Sequence, residues 1–244
     1  MASLSDEHLL KDTQLAVEYK HLQTNAPGGV FVFPSTTDMR RWHGVIFVRR
    51  GVYANAIFKF LIELPPAYNA VGCWPKVTFV RGGATSDAGS PIVFNPHVSA
   101  DTQELDVRAS FPEGAEWDPT TNFVVAVLTF LKKCFYDKCF DGFGDGDGAR
   151  QCANPVALAL FRENKPEYLR HVEACVAASA ARCYDTDATC PGATMTFSKA
   201  RPSHRLLADA LLGRADDGTA TPPGSASEER DPVLAVIDRV RRAG

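Results

Sequence analysis

The side chains of this sequence that could act as nucleophiles or metal ligands are first of all its cysteine thiols, because a thiolate does both. There are seven of them, an odd number, and they are scattered through apolar segments that could be core elements. This distribution is typical of free thiols that pack as small apolar side chains in a reducing compartment, not of a disulfide framework. They are Cys73, Cys134, Cys139, Cys152, Cys175, Cys183 and Cys190.

Two further patterns have some likeness to metal sites. Residues 141–147 alternate Asp and Gly as calcium loops do, but Phe143 occupies the third ligand position and Cys152 stands where the closing Glu belongs. Cys183 and Cys190 lack a His or a paired Cys at metal-binding spacing. We therefore expect a solvated turn at 141–147, and we expect no metal or other cofactor.

The composition is that of a globular protein. Of 244 residues, 45% are hydrophobic and 23% charged, which argues against general disorder. A formal net charge of −3 gives no global basic field, so we expect no nucleic-acid partner. No apolar run approaches the roughly 20 residues of a membrane span, and the polar N-terminus lacks a signal pattern. We expect a cytoplasmic protein without membrane insertion.

The order of predicted elements indicates an α+β fold. A helix over residues 5–21, with Leu9, Leu10, Ala16 and Val17 near one face, precedes four strands rich in β-branched and aromatic residues. The strands are predicted at 30–33, 42–49, 56–64 and 76–80, and they form a sequential antiparallel meander. Residues 121–140 are apolar on almost all sides and predict a central buried helix, followed by two helices within 154–182.

The character of the sequence changes after the predicted core. We expect one domain over 1–190 (core about 5–185), an extension with a short helix over 191–212, a disordered linker over 213–230 and a terminal amphipathic helix over 231–244. Each of the two helices has an apolar face that could pack on its own domain or dock on a partner helix or coiled coil. The candidate partner-binding residues are Leu207, Leu211, Val236, Ile237 and Val240.

The element order and several local strings together resemble the ubiquitin-conjugating enzyme (E2) family. They match the family's turn after the third strand, its fourth strand, the segment of its His-Pro-Asn tripeptide, the Cys-Leu-Asp-Ile segment and the opening of its third helix. In that order the strings are Pro65-Pro66-Ala67-Tyr68, Trp74-Pro75-Lys76-Val77-Thr78-Phe79, Asn95-Pro96-His97, Glu104-Leu105-Asp106-Val107 and Asn154-Pro155. The resemblance implies the ubiquitin-conjugating (UBC) fold.

A more specific likeness reaches to about residue 212. The sequence is similar to the fused-toes/AKT-interacting protein family, a branch of E2-like proteins regarded as inactive variants. The strings that carry it include Leu22-Gln23-Thr24, Trp42-His43-Gly44-Val45-Ile46-Phe47-Val48-Arg49, Gly51-Val52-Tyr53, Phe135-Tyr136 and Phe197-Ser198. This resemblance implies an adaptor in a complex with Hook-like coiled-coil proteins for dynein-linked vesicle transport, and contacts with the Akt kinase.

The resemblance also locates a degenerate catalytic site. Active members carry ubiquitin on a cysteine about eight residues after the tripeptide. In this sequence an ungapped count places Leu105 at the position of that cysteine. Aligning the Leu-Asp pair with that of the family places Glu104 at the same position instead. Neither side chain can hold a stable thioester. The tripeptide is Asn95-Pro96-His97, and we expect Asn95 and His97 to bond loop backbone while Pro96 fixes the turn.

Two alternatives to a non-catalytic adaptor stay open. The chain could be an active E2 that charges through an unaligned thiol, for which Cys73 is the best exposed candidate, although its position is remote from the family's site. It could also bind ubiquitin or another E2 without forming a covalent bond, as a cofactor of transfer. On the adaptor hypothesis the protein is cytoplasmic and reaches vesicles through its partners.

Overall fold

A computed structural model describes residues 4–68, 70–80, 92–140, 143, 152–185, 197–199, 201–204 and 207. In chain order the elements are α1 (Leu4–Asn25), β1 (Val30–Pro34), β2 (Arg41–Phe47), β3 (Ile57–Glu63), β4 (Lys76–Val80), α2 (Val124–Lys133), α3 (Pro155–Glu163) and α4 (Lys165–Ala181). Short 3₁₀ turns lie at Val107–Ser110 and Asp137–Cys139. The α+β class predicted from the sequence is confirmed.

The four strands form one antiparallel sheet in the order β1-β2-β3-β4. Each predicted strand is present, and the observed ends differ by at most two residues because prolines and turns fix them. The inner face of the sheet joins the core, where Trp42, Ile62 and Val77 lie side by side and are fully buried. Gly44 lies opposite Phe60, and a Cβ there would come within 2.3 Å of the Phe60 ring, so this position requires glycine.

Helix α1 is longer than predicted and buries a different face. It continues to Asn25, whose side-chain amide donates to the carbonyl oxygen of His21 at 3.0 Å. Leu15, Glu18 and Leu22 are the buried residues, at helical spacing. Ala16 and Val17 are exposed, so the predicted apolar face is wrong at these two positions; the side chains of Leu9 and Leu10 lie outside the described residues. Packing against the domain selects the face, and Tyr68 gives the polar Glu18 a partner inside.

Helix α2 is central and buried, as predicted, but it covers ten residues and not the whole of 121–140. Five of its residues are buried, and Lys132 and Lys133 lie in its last turn, where the helix dipole favours cations. The apolar residues beyond it enter the core from turns. Phe135, for example, stacks on Phe58 with ring centroids 5.4 Å apart. A continuous apolar run therefore does not measure the length of a buried helix.

The two predicted C-terminal helices are α3 and α4, and asparagines cap both. Asn154 Oδ1 accepts from the N–H of Ala157 at 3.0 Å, and Asn164 Oδ1 accepts from the N–H of Glu167 at 3.3 Å. Pro155 and Pro166 lie in the first turns, where the missing N–H costs nothing. The sequence signals for these helix starts are confirmed.

The chain divides into two compact units, Met1–Phe197 and Ser198–Gly244, and the elements above belong to the first. In the second, residues 202–204 and Leu207 have helical backbone, and Leu207 is half-buried. Leu211, the predicted linker 213–230 and the predicted helix 231–244 with Val236, Ile237 and Val240 lie outside the described residues. None of the helices described is long and apolar enough to cross a membrane.

Candidate functional site

The turn at Asn95-Pro96-His97 is built around one buried amide. Asn95 is completely buried, and its Oδ1 accepts from the N–H of His97 at 2.9 Å. Its Nδ2 donates to the carbonyl oxygen of Cys134 at 2.8 Å and to the Tyr53 hydroxyl at 3.2 Å. The expected hydrogen bonds to backbone are present. They tie the turn to the C-terminal end of α2 and use both donors of the amide inside the protein.

Two tyrosines extend this network across the core. The Tyr53 hydroxyl donates to the carbonyl oxygen of Phe94 at 2.5 Å and lies 2.7 Å from the Tyr168 hydroxyl. Since its single proton goes to Phe94, Tyr53 must accept from both Asn95 and Tyr168. Burial raises the pKa of both Tyr53 and Tyr168, so both hydroxyls stay protonated at neutral pH.

His97 occupies an aromatic cage. The ring is buried and lies 5.1 Å from Phe130, 5.9 Å from Phe140 and 4.5 Å from Phe143, measured between centroids. Its Nε2 lies 3.2 Å from the carbonyl oxygen of Cys139; because a carbonyl oxygen only accepts, Nε2 carries the proton in this bond. The imidazole thus packs as part of the core.

Leu105, eight residues beyond His97, is also a core residue. Its side chain is 2% exposed, its N–H donates to the carbonyl oxygen of Val77 at 2.9 Å, and it pairs with Val98 in an isolated bridge. The next N–H, of Asp106, donates to the carbonyl oxygen of His97 at 2.8 Å. These bonds fix the segment between β4 and the turn, with a hydrocarbon side chain directed into the core.

Glu104, the other aligned position, lies at the surface. Its side chain is 40% exposed and its Oε2 lies 3.1 Å from Lys76 Nζ. An open groove of about 560 Å³ runs past Glu104 and Leu105 and is lined also by Cys73, Trp74 and Arg108. The expectation that Cys73 is remote from the aligned site is wrong, because the loop before β4 brings this half-buried thiol to the same groove.

A second thiol lies beside the turn and was missed from the sequence. Cys152 is half-buried, and its Sγ donates to the carbonyl oxygen of Pro96 at 3.0 Å. Burial raises the pKa of the Cys152 thiol, which keeps it protonated at neutral pH and weakens it as a nucleophile. It lines a neighbouring groove of about 550 Å³ with Asp106, Arg108 and Glu113. The contact joins residues 56 apart, so no local pattern could have found it.

The remaining described thiols near the turn are less available. Cys134 is fully buried, its Sγ donates to the carbonyl oxygen of Leu131 at 3.0 Å, and burial raises its pKa well above the ordinary value. Burial likewise raises the pKa of Cys139. Both thiols are expected to be protonated at neutral pH.

For residues 141–147 the sequence predicted a solvated turn and no calcium loop. The structure describes only Phe143 of this segment. That residue is buried against His97, so the turn is not solvated at this position; residues 141–142 and 144–150 lie outside the described part. Within the described part of the chain, no group of three or more His, Cys, Asp or Glu side chains is placed to hold a metal ion.

Comparison with known proteins confirms the UBC fold predicted from the sequence. The family model "Ubiquitin-conjugating enzyme" matches residues 14–176. The chain is 30% identical over 219 residues to "Protein crossbronx homolog" of Culex quinquefasciatus, covering 89% of this chain and 87% of that protein. It is 32% identical over 162 residues to "Protein AKTIP homolog" of Nematostella vectensis, covering 66% and 47%.

Among solved structures, one titled "Novel Ubiquitin-Conjugating Enzyme" is 17% identical, with a TM-score of 0.49, over 66% of this chain and 92% of that chain. The family assignment depends on the family model and on the relatives. The chain belongs to the ubiquitin-conjugating enzyme family, in the fused-toes branch that includes crossbronx and the AKTIP homologues.

Proposed function

We propose that this protein is a non-catalytic E2 variant that acts as a protein-interaction adaptor. The observation that carries the proposal is the buried Leu105 side chain, together with the ion-paired Glu104 beside it. A hydrocarbon cannot attack a thioester, and an anhydride formed on a carboxylate would be hydrolysed rapidly in water. The aligned segment therefore lacks a group that could carry ubiquitin.

A charging assay tests this proposal. The recombinant protein is incubated with ubiquitin, activating enzyme and ATP, beside an active E2 as positive control. We expect no adduct that dithiothreitol removes, because positions 104 and 105 offer no sulfur. A reducible adduct on the wild-type chain, with the control charged in parallel, would overturn the proposal.

A second candidate function is favoured by the thiols at the two grooves. Cys73 shares the groove of Glu104 and Leu105, and Cys152 contacts Pro96, so an active E2 could in principle charge through either. In that case Cys73→Ser or Cys152→Ser abolishes the reducible adduct, while Cys183→Ser, at a buried thiol elsewhere, leaves it unchanged. The raised pKa of Cys152 argues against this candidate for that residue.

A third role is non-covalent: the chain binds ubiquitin or another E2 and assists transfer as a cofactor. The UBC fold offers a scaffold for such contacts, and they require no nucleophile. Titration of the ¹⁵N-labelled protein with ubiquitin, and separately with a charged E2, measures it. Amide shifts that saturate would establish this role, and unchanged spectra with both would remove it.

For the adaptor role, the family resemblance supports a Hook-like coiled-coil partner, dynein-linked vesicle transport and a cytoplasmic protein that reaches vesicles through its partners. The AKTIP name of one relative supports contacts with the Akt kinase. We propose the apolar positions Leu207, Leu211, Val236, Ile237 and Val240 as partner contacts, the last three on a helix over 231–244 that a linker over 213–230 tethers.

Variants of the terminal helix test this surface. Ile237→Asp with Val236→Asp places two charges in the proposed apolar stripe, and we expect at least a tenfold loss of binding to a recombinant Hook-type coiled coil. Asp238→Ala, on the opposite side of the same helix, is the matched control. Equal binding by both variants would remove the stripe as the contact, and loss by the control would show a helix-wide effect instead.

A further inference from the structure

The two edges of the sheet differ in how their backbone groups are used. At one edge the chain itself covers β4. The Phe79 N–H donates to the carbonyl oxygen of Gln103 at 2.9 Å, and the carbonyl oxygen of Val77 accepts from the next segment as well. At the other edge β1 pairs with β2 and with none of the other strands described. The free side of β1 is therefore where another strand could be added to this sheet.

The register of β1 on β2 shows which residues face this free side. The Phe47 N–H donates to the carbonyl oxygen of Gly29 at 2.8 Å. At the far end of the strand, the Ser35 N–H donates to the carbonyl oxygen of Arg41 at 2.7 Å. In an antiparallel pair, residues bonded to the neighbouring strand alternate with residues whose N–H and C=O point away from it. Positions 29, 31, 33 and 35 therefore bond to β2, and positions 30, 32 and 34 point to the free side.

Within β1, a single N–H group is available on the free side. The Val30 N–H donates to the carbonyl oxygen of Pro27 at 3.1 Å, and Pro34 has no N–H. Val32 is the remaining position, and within the described part of the chain neither its N–H nor its C=O has a hydrogen-bond partner on this side. One donor and one acceptor on the same residue are what two copies of a strand can satisfy reciprocally.

The side chains next to Val32 leave this edge open and apolar. Phe31 and Phe33 lie on the outer face of the sheet and are 49% and 44% exposed. The five residues of β1 include no charged side chain, although charged side chains are a common means of blocking strand pairing at a sheet edge. Only Pro34, at the end of the strand, restricts what can pair there.

We propose that β1 pairs antiparallel with β1 of a second copy of this chain, across a two-fold axis at Val32. The two Val32 residues then exchange both N–H to C=O hydrogen bonds, and Phe31 of each copy lies opposite Phe33 of the other. Position 30 lies opposite position 34. Since Val30 already uses its N–H and Pro34 has none, the pairing leaves no donor unsatisfied at either end. Such an isologous contact closes at the dimer.

The contact is small, because each copy contributes one short strand and two partly exposed rings. It is well below the size of a permanent interface, so the dimer forms reversibly and depends on protein concentration. The edge formed by β1 is opposite to the edge at which Glu104 pairs with Thr78. The inference therefore goes beyond the proposed function, and the charging assay does not decide it.

Sedimentation of the full chain over a concentration series tests the dimer. Val32→Pro removes the one outward N–H, and the β1–β2 hydrogen bonds do not use that group. Val32→Ala also shortens the side chain but keeps the N–H, so it is the matched control. We expect a reversible monomer–dimer equilibrium for the wild type and a dissociation constant at least about tenfold higher for Val32→Pro than for Val32→Ala.

Introduced thiols test the register. A mixture of Phe31→Cys and Phe33→Cys chains places two thiols opposite each other, whereas either variant alone places its thiols diagonally. Position 31 and position 33 both lie in the tryptic peptide 21–40, which has no native cysteine, so mass spectrometry identifies the linked peptides. With copper phenanthroline as oxidant, we expect the mixture to give the 31-to-33 disulfide at least about tenfold faster than either variant alone links to itself.

Each outcome decides the inference. A dimer that Val32→Pro weakens more than Val32→Ala, linked fastest between positions 31 and 33, supports it. A wild-type chain that stays monomeric at all concentrations overturns it, as would be found if the edge served a strand of another protein. Equal weakening by the two Val32 variants, fastest linkage between like positions, or growth beyond the dimer also overturns it. The thiol test stays decisive if Val32→Pro does not fold.

Discussion

The turn around Asn95 and the groove in front of Glu104 are neighbours, and they use polar atoms in opposite ways. Around Asn95 the amide, two tyrosine hydroxyls and backbone carbonyls are buried and bonded to one another. In the groove, Glu104 and Lys76 pair at the surface with both side chains about half exposed. A buried polar group costs stability when its partner is lost, whereas an exposed pair contributes little. The comparison indicates that the turn maintains the fold, whereas the Glu104–Lys76 pair contributes little to its stability.

The largest effect is expected at Asn95. Asn95→Ala removes the amide that joins the turn, Tyr53 and the end of α2, and leaves the N–H of His97 and the carbonyl of Cys134 buried without it. We expect a loss of about 4 kcal/mol in the free energy of unfolding, measured by urea denaturation. Asn25→Ala, at an exposed amide with one bond to His21, should cost less than about 1 kcal/mol. Similar losses for both would break the comparison.

The next effect is expected at Leu105. Leu105→Ala leaves a cavity in the core and should lower the free energy of unfolding by about 3 kcal/mol. Val71→Ala, at a side chain that is 61% exposed, serves as the control and should change it by less than about 0.5 kcal/mol. If Leu105→Ala were as mild as the control, Leu105 would belong to the groove and not to the core.

Local sequence signals predicted the strands and helix starts, because these depend on residues that are close together in the chain. The strands, the antiparallel order and the starts of α3 and α4 were predicted from β-branched runs and prolines, and each of these was found; the structure adds the capping asparagines. The buried face of α1 and the length of α2 were mispredicted. Residues beyond α2, such as Phe135, are apolar because they pack on β3 from a turn, and this packing cannot be distinguished from a helix by composition.

The candidate site likewise could be predicted from the sequence only where it depends on neighbouring residues. The Asn95-Pro96-His97 turn was identified from the sequence, but its partners come from distant parts of the chain. Tyr53 and Tyr168 are 115 residues apart, and Cys152 meets Pro96 across 56 residues. A buried tyrosine hydroxyl needs a hydrogen-bond partner. The sequence therefore gives a weak signal that such a hydrogen bond exists, but it does not identify the partner residue.

A third prediction compares the buried carboxylate of Glu18 with the exposed carboxylate of Glu104. Glu18 is buried, and its oxygens accept from the Tyr68 hydroxyl at 2.7 Å and from the N–H of Val124 at 3.3 Å. Burial raises the pKa of Glu18, and these two hydrogen bonds and the nearby His21 oppose the shift in part. In the pH range just above the ordinary carboxyl pKa of about 4.3, the folded protein therefore keeps a proton that the unfolded chain loses.

The sign follows from that difference in bound protons. As the pH rises through this range, the free energy of unfolding of the wild type should fall relative to that of Glu18→Gln, which binds no proton there. Urea denaturation of both proteins from pH 4 to pH 8 measures the difference. Glu104→Gln, at an exposed carboxylate, is the control and should show no such trend from burial. A difference that stays constant or rises with pH would contradict the shift.

The smallest effect is expected for the ion pair in the groove. Glu104 and Lys76 are 3.1 Å apart, yet with side chains 40% and 49% exposed the attraction is screened by water and salt. A double-mutant cycle with Glu104→Gln and Lys76→Met should give a coupling free energy below about 0.5 kcal/mol, and it should shrink further in high salt. A coupling above about 2 kcal/mol would mean that the groove is desolvated and helps to hold β4 in place. The contrast with Asn95 would then be one of degree, and the surface around Glu104 could not change its side chains without a cost to the fold.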